Sequence, residues 1–281
     1  MAFIIAEIGC NHKGDIEIAK QMILVAAHFC EVAAVKFQKR SNRELLGDGY
    51  DKPHPCPENS YGSTYGEHRD FLEFDLDQHR VLKKLCEDEG LVYSCSVWEL
   101  TSAKEIASLE PKMIKIPSAR NTDYKMLRWL AKNYAGEIHV SLGMTTRAEE
   151  QEIHNMFNQC GRLDDLIFYA CTSGYPVPFE DVCLLEIDRI KTSYPDIKGV
   201  GFSGHHLGIA VDMAAKALGA EYIERHYTLD RTWKGTDHAA SLEPDGFRKL
   251  VRDMKAVDDA LTYKPQEILD IEAVQREKLK Q

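Results

Sequence analysis

The 281-residue chain has no apolar run approaching the roughly 18–20 residues needed to cross a bilayer. It also lacks a basic excess: the formal net charge is −10 and the isoelectric point lies near 5.6. That balance argues against binding nucleic acid or a membrane surface, both of which need a basic face. A local basic pocket for a small anion remains compatible with it. No C-x-x-C pair occurs among the eight cysteines at 10, 30, 56, 86, 95, 160, 171 and 183, so zinc-knuckle and dithiol-redox readings lose their basis. Most of these cysteines fall inside apolar segments, where a reduced thiol acts as a small hydrophobe. The N-terminus enters "FIIAEIG" without a basic stretch or a small-residue cleavage site, and a cytoplasmic protein is expected. Short repeats and low-complexity tracts are missing as well. What remains is an ordinary globular balance, 44% hydrophobic and 28% charged with a mean hydropathy of −0.37.

Short β-branched runs alternate with longer stretches of helical period. The runs predict strands at 3–8, 33–38, 91–96, 113–117, 137–141, 166–170, 198–203 and 221–226. Between them, in 15–30, Ile18, Met22, Ile23, Ala26 and Cys30 recur at three- and four-residue spacing, as a core-facing helix requires. Similar patterns fill 77–89, 99–109, 123–134, 147–159, 181–193, 208–218 and 245–262. Eight strand–helix units predict an α/β fold, a single-domain (β/α)8 TIM barrel over 1–262, with an open doubly wound sheet as the alternative. Residues 39–76 are too long and too rich in Gly, Pro, Asn, Tyr and charge for a plain connection; a lid or substrate wall and a flexible insertion are both open. A charged tail follows at 263–281.

A barrel collects its chemistry at strand C-termini. The polar residues at the predicted exits are Glu7 with Asn11 and His12, Lys36 and Gln38, Ser94 and Ser96, Lys115 and Ser118, and Ser141. They continue with Thr172, Ser173 and Tyr175, then Ser203 and His205, and end with Glu224 and His226. Each alone has a bland reading as a half-exposed strand end, but charges inside apolar strands are costly unless paired. His205 in "GFSGHHLG" and His226 in "YIERHYT" close adjacent strands, so both imidazoles can reach one ion. Two histidines alone favour zinc as much as manganese. His54, His68 and His79 read as surface or loop residues, His206 as a neighbour pointing away from the site, and His238 as a residue that could line the mouth.

"IAEIGCNHKGD", "VKFQ", "YGSTYGEHRDFLEFD", "KIPS", "SLGMTT", "CTSGYPVPFEDV", "GFSGHHLG", "ALGAEYIERHYTLDR" and "GTDHAASLEP" occur in that order, and together they resemble the sialic acid synthase (N-acetylneuraminate synthase) family over nearly the whole chain. The resemblance implies a TIM barrel that condenses phosphoenolpyruvate with a sugar aldehyde, N-acylmannosamine-like, to a nonulosonic 2-keto-3-deoxy sugar acid with release of phosphate. It implies a divalent metal between His205 and His226, manganese first and magnesium or cobalt as alternatives, placed for Lewis-acid polarisation of the carbonyl. It also implies that Lys36, Lys115, Ser118, Ser141, Tyr175 and Ser203 hold phosphoenolpyruvate. Glu7, Gln38, Glu224 and Asp237 then contact sugar hydroxyls or carry protons, with Glu7, Glu224 and Lys115 as the catalytic set. Ser173 stands where the family often has Asn, which shortens any contact there. Many members continue into a small antifreeze-like domain that reaches the neighbouring subunit's site; nothing like it is seen here, and the acceptor is expected to be recognised instead by the segment 39–76, through Tyr61, Tyr65, Glu67 and Arg69, or by another chain. A homodimer is expected. The competing readings are a synthase for a non-acylated aldose, a metal-dependent pyruvate aldolase and a catalytically silent binding barrel.

Overall fold

Strands buried on both faces read as near-continuous apolar runs, and the eight runs form eight parallel strands in the computed structural model, which describes residues 2–280. They are β1 (Phe3–Gly9), β2 (Ala34–Lys39), β3 (Val92–Val97), β4 (Met113–Ile116), β5 (Glu137–Ser141), β6 (Leu166–Cys171), β7 (Gly199–Gly204) and β8 (Tyr222–His226). Each pairs with the next, and β8 pairs with β1, closing the barrel. The open-sheet alternative is thereby excluded.

Helices follow where the 3.6-residue pattern places them, from Ile16–Val25 to Pro244–Ala260. Their starts are fixed chemically: Asp15, Asp75 and Thr146 each accept a backbone N–H of the first turn. The helix expected over 181–193 begins only at Glu186, because the chain turns through a positive φ of 53° at Cys183. The main core lies between sheet and helices, and a smaller one of Ile5, Ala34, Met113, Ile167 and Tyr169 fills the barrel interior.

Residues 39–76 are a packed insert containing helices Asn42–Leu46 and Tyr65–Leu72. Asp70 joins the two, accepting from Asn42 Nδ2 at 2.8 Å and from the Tyr50 hydroxyl. The insert also corrects the expectation for its histidines. His54 and His68 are buried, their Nδ1 atoms accepting the N–H groups of Cys56 and Tyr61 at 3.0 and 3.1 Å. His79 is fully buried, 2.7 Å from the Tyr93 hydroxyl. A buried imidazole with a partner for its nitrogen packs as an aromatic ring, which single-sequence polarity does not reveal. Most of the cysteines are covered, but Cys56 and Cys183 are exposed. Beyond the barrel, the helix Asp270–Leu279 lies on the surface with Ile271 and Leu279 exposed. No helix of the described residues is long and apolar enough to cross a membrane.

Candidate active site

Side chains two apart on a strand point the same way, so Lys36 and Gln38 of β2, and Ser94 and Ser96 of β3, face the barrel axis. Register then brings the charges together: Glu7 lies opposite Lys36 and His226, Ser96 opposite Lys115, and Ser203 opposite Glu224. A shift of register after Glu7 is accommodated at Gly9, whose φ is +56°. A Cβ there would come within 3.0 Å of Gln38 Nε2 and 3.2 Å of Glu7 Oε1, so the glycine leaves room for the contact between those side chains.

The result is a cavity of about 360 Å³ at the strand C-termini. On its floor two cation–carboxylate pairs are buried. Lys36 Nζ stands 2.6 Å from Glu7 and donates to Ser96 Oγ at 2.7 Å. Lys115 Nζ donates to both oxygens of Glu224 at 2.9 and 2.8 Å. Ser203 Oγ donates to Glu224 at 3.2 Å, and Gln38 Nε2 to Glu7 at 2.8 Å. Burial opposes the Glu224 carboxylate, but Lys115 and Lys36 outweigh it and hold the group well below the usual carboxylate range. Burial also lowers Lys115, with Lys36 adding to that and Glu224 opposing it; at Lys36 the attraction of Glu224 and Glu7 exceeds the burial cost and the shift is upward. The Lys115 ammonium rests 4.0 Å over the Tyr169 ring.

On one wall the rings of His205 and His226 are 5.4 Å apart, with Tyr175 4.4 Å from His205. The Thr172 carbonyl accepts from His205 Nδ1 at 3.0 Å, which leaves Nε2 bare. Burial, then the neighbouring His226, pushes His205 down to about 3, so it is neutral at ordinary pH. His226 Nδ1 is buried without a hydrogen bond, 3.9 Å from Asp237. A bare nitrogen and an orphaned one on adjacent strands fit a divalent cation. Among the described residues no group of three or more His, Cys, Asp or Glu could close around one, so these imidazoles offer an open site.

Ser118, Ser141, Ser173 and Asp237 also line this cavity, and Ser118 Oγ and Ser173 Oγ stand 2.8 Å apart. The structure does not bring Tyr65 and Glu67 to it. Glu67 is exposed and completes a capping box with Thr64, and the Tyr65 hydroxyl accepts from Arg69 Nε and Nη2 at 3.2 and 2.7 Å. The insert reaches the cavity through Arg40 at its start and through Arg69. His206 points outward and is buried beside Arg225 and Asp212. His238 is buried against Thr228 at 2.7 Å and lines only a small side pocket. Asn11 braces the chain after β8, donating to the Tyr227 carbonyl at 2.8 Å and Ser241 at 3.0 Å. Sequence reasoning missed Arg40 and Trp98, which line the mouth with the guanidinium 4.3 Å from the ring centroid. Both continue the inward alternation of Lys36–Gln38 and Ser94–Ser96, and that spacing could have found them.

A family model, described as the NeuB family, matches residues 22–266. The chain belongs to the NeuB family. It is 38% identical over 282 residues to N-acetylneuraminate-9-phosphate synthase of Homo sapiens, an alignment covering 99% of this chain and 76% of that protein. It is 32% identical to N,N'-diacetyllegionaminic acid synthase of Campylobacter jejuni over 92% of this chain and 77% of that protein. Among solved structures, N-acetylneuraminic acid synthetase from Leptospira borgpetersenii, crystallised with citrate, superposes with a TM-score of 0.84 at 26% identity, over 100% of this chain and 93% of that one. NeuB-family synthases use phosphoenolpyruvate and a sugar to make nonulosonic acids and are generally metal-dependent.

Proposed function

We propose that this barrel condenses phosphoenolpyruvate with an N-acylmannosamine-type aldehyde that carries a terminal phosphate, forming a nonulosonic acid phosphate and releasing inorganic phosphate. The single observation that carries the reading is the pair of buried lysine–carboxylate contacts facing two imidazoles across one cavity. The phosphate on the acceptor is supported by the human relative's product. Phosphoenolpyruvate adds three carbons at the aldehyde end, so a phosphate at position 9 of the product began at position 6 of the acceptor.

Phosphoenolpyruvate needs cations and hydroxyls for its carboxylate and phosphate. Lys36 and Lys115, with Ser118, Ser141, Ser173 and Ser203, supply them. His205 and His226 would hold the divalent cation, manganese in this reading with magnesium or cobalt as alternatives, and when bound it supplies Lewis-acid polarisation of the aldehyde oxygen. The C2=C3 electron pair of the enol phosphate forms the new bond to the aldehyde carbon, and the aldehyde oxygen takes up a proton. Water adds at C2 and loses one proton to give a hemiketal phosphate; the C2–O bond to phosphate then breaks with its electron pair leaving on the phosphate, and the remaining hydroxyl proton departs as the C2 ketone forms. Lys115 is the better proton donor of the two lysines because its ammonium is the destabilised one. Glu224, held ionised, orients Lys115 and Ser203, while Glu7 is the carboxylate available to the attacking water.

A phosphate-release assay with phosphoenolpyruvate, manganese and a panel of phosphorylated and free aldoses tests this. Release is expected with N-acylmannosamine 6-phosphate, less with the free sugar and none with metal stripped. Turnover with pyruvate in place of phosphoenolpyruvate would favour an aldolase, and no release with any aldose would overturn the synthase reading.

A further inference from the structure

The floor of the cavity balances its own charge, since Lys36 and Lys115 face Glu7 and Glu224. The rim does not. Arg69, half-buried and lining the cavity, gives two donors to the neutral Tyr65 hydroxyl and has no carboxylate at ion-pair distance among the described residues. Lys234, on the loop after β8, stands 4.9 Å over the Tyr61 ring, also without an ion pair among the described residues. The Tyr61 hydroxyl donates to the Lys234 carbonyl at 2.5 Å, which ties the insert to that loop. Arg69, Lys234 and Tyr61 share a narrow side pocket opening beside Thr236 and Asp237. Asp237, the acid of this rim, faces His226.

Strand order says which substrate this rim meets. Of the groups that hold phosphoenolpyruvate, Lys36 and Ser203 lie buried on the floor at β2 and β7, and Lys115, Ser118 and Ser141 belong to β4, β5 and the turn between them, whereas Arg69 stands on the rim after β2 and Lys234 on the rim after β8, away from the β4–β5 side. With phosphoenolpyruvate on the β4–β5 side and the aldehyde at His205 and His226, the far end of the acceptor extends toward β8, β1 and β2. We propose that Arg69, flanked by Lys234, seats the terminal phosphate of the acceptor and sets the preference for a phosphorylated over a free hexose. This rests on the reading of the barrel as a synthase for a phosphorylated acceptor. A guanidinium held by a hydroxyl rather than a carboxylate keeps its charge for a ligand, and its planar fork suits a phosphate dianion.

The test is steady-state kinetics of the full chain with Arg69→Ala, Arg69→Lys and Lys234→Ala, varying phosphoenolpyruvate, N-acylmannosamine 6-phosphate and the free sugar separately. Arg69→Ala is expected to raise KM for the phosphorylated acceptor on the order of 10- to 100-fold, as loss of a charge-assisted phosphate contact does. Lys should rescue it in part, and Lys234→Ala should show a smaller rise. The ratio of kcat/KM for phosphorylated over free acceptor should fall at least about tenfold, while KM for phosphoenolpyruvate moves far less. Turnover of the free sugar and the melting temperature report whether the variants fold. If KM for phosphoenolpyruvate rises as much as that for the acceptor, Arg69 belongs to the other substrate and the inference fails. It fails equally if the ratio is unchanged in a wild type that does use the phosphorylated sugar. A wild type that releases phosphate only with free sugars overturns the reading of the acceptor itself, and with it the need for a phosphate seat.

Discussion

The floor and the rim of this cavity are made by different means. The floor hangs from strands: Lys36, Lys115, Ser203 and Glu224 are placed by ladder register, so none moves without moving the barrel. The rim comes from one insert and one loop, joined by Tyr61 and Lys234, and its groups rest on aromatic rings and hydroxyls. Strands therefore fix what the reaction shares across acceptors, whereas the rim can change without disturbing the ladder. On the reading proposed above, the strands carry the chemistry and the rim the acceptor choice, so the two are separable in this fold.

The largest effect expected is on turnover. His205→Ala or His226→Ala should abolish phosphate release while the melting temperature stays close to wild type, because each removes an imidazole at the mouth rather than core packing. Measurable rates for both variants in metal-stripped buffer would dissociate the imidazoles from the chemistry. Next, Lys115→Met should leave Glu224 buried with Lys36 at 3.7 Å as its remaining lysine partner. A stability loss of about 3–5 kcal/mol in urea melts is expected, together with a large rise in KM for phosphoenolpyruvate. An unchanged KM would detach the floor from that substrate.

Acid should act on the packing that joins floor and rim. Burial pushes both His12 and His79 down to about 3, from an ordinary value of 6.5. Below 6.5 the unfolded chain binds protons that the folded one refuses, so stability is full above that pH and is lost as pH falls toward 3. At about pH 5 the loss is on the order of 2 kcal/mol per histidine. Replacing His79 by Phe should flatten the slope of melting temperature against pH between about 7 and 5; an unchanged slope would place the sensitivity elsewhere. A smaller change is expected from Tyr169→Phe, which keeps the ring under Lys115 but removes the hydroxyl that meets His139 Nδ1 at 2.8 Å. It should cost about 1–3 kcal/mol and barely alter phosphoenolpyruvate kinetics, because the ring face and not the hydroxyl meets the ammonium. The smallest effect should come from Glu67→Ala, which removes a helix cap at the surface. KM for either substrate should stay within about twofold, and a larger acceptor effect would show that the rim depends on how that helix begins.

The eight strands were legible to within one residue at either end, because a strand buried on both faces cannot hide its apolar run. Most of the floor was legible too, since a lysine or glutamate inside such a run needs a partner. The insert was harder to read. Its polar composition pointed to acceptor recognition through Tyr61, Tyr65, Glu67 and Arg69, but of these Arg69 alone lines the cavity, while Glu67 serves its own helix and the Tyr65 hydroxyl meets Arg69.

By itself the sequence determined the alternation of strand and helix and most of the polar side chains at the strand ends, because burial and period are local properties of the chain. Only the tertiary structure decided which charges neutralise one another and which are left over. Lys115 meets Glu224 from 109 residues away, and Tyr61 meets Lys234 from 173. Such pairings depend on barrel closure and on the path of the insert, which bring distant segments within hydrogen-bonding distance where no local pattern records it.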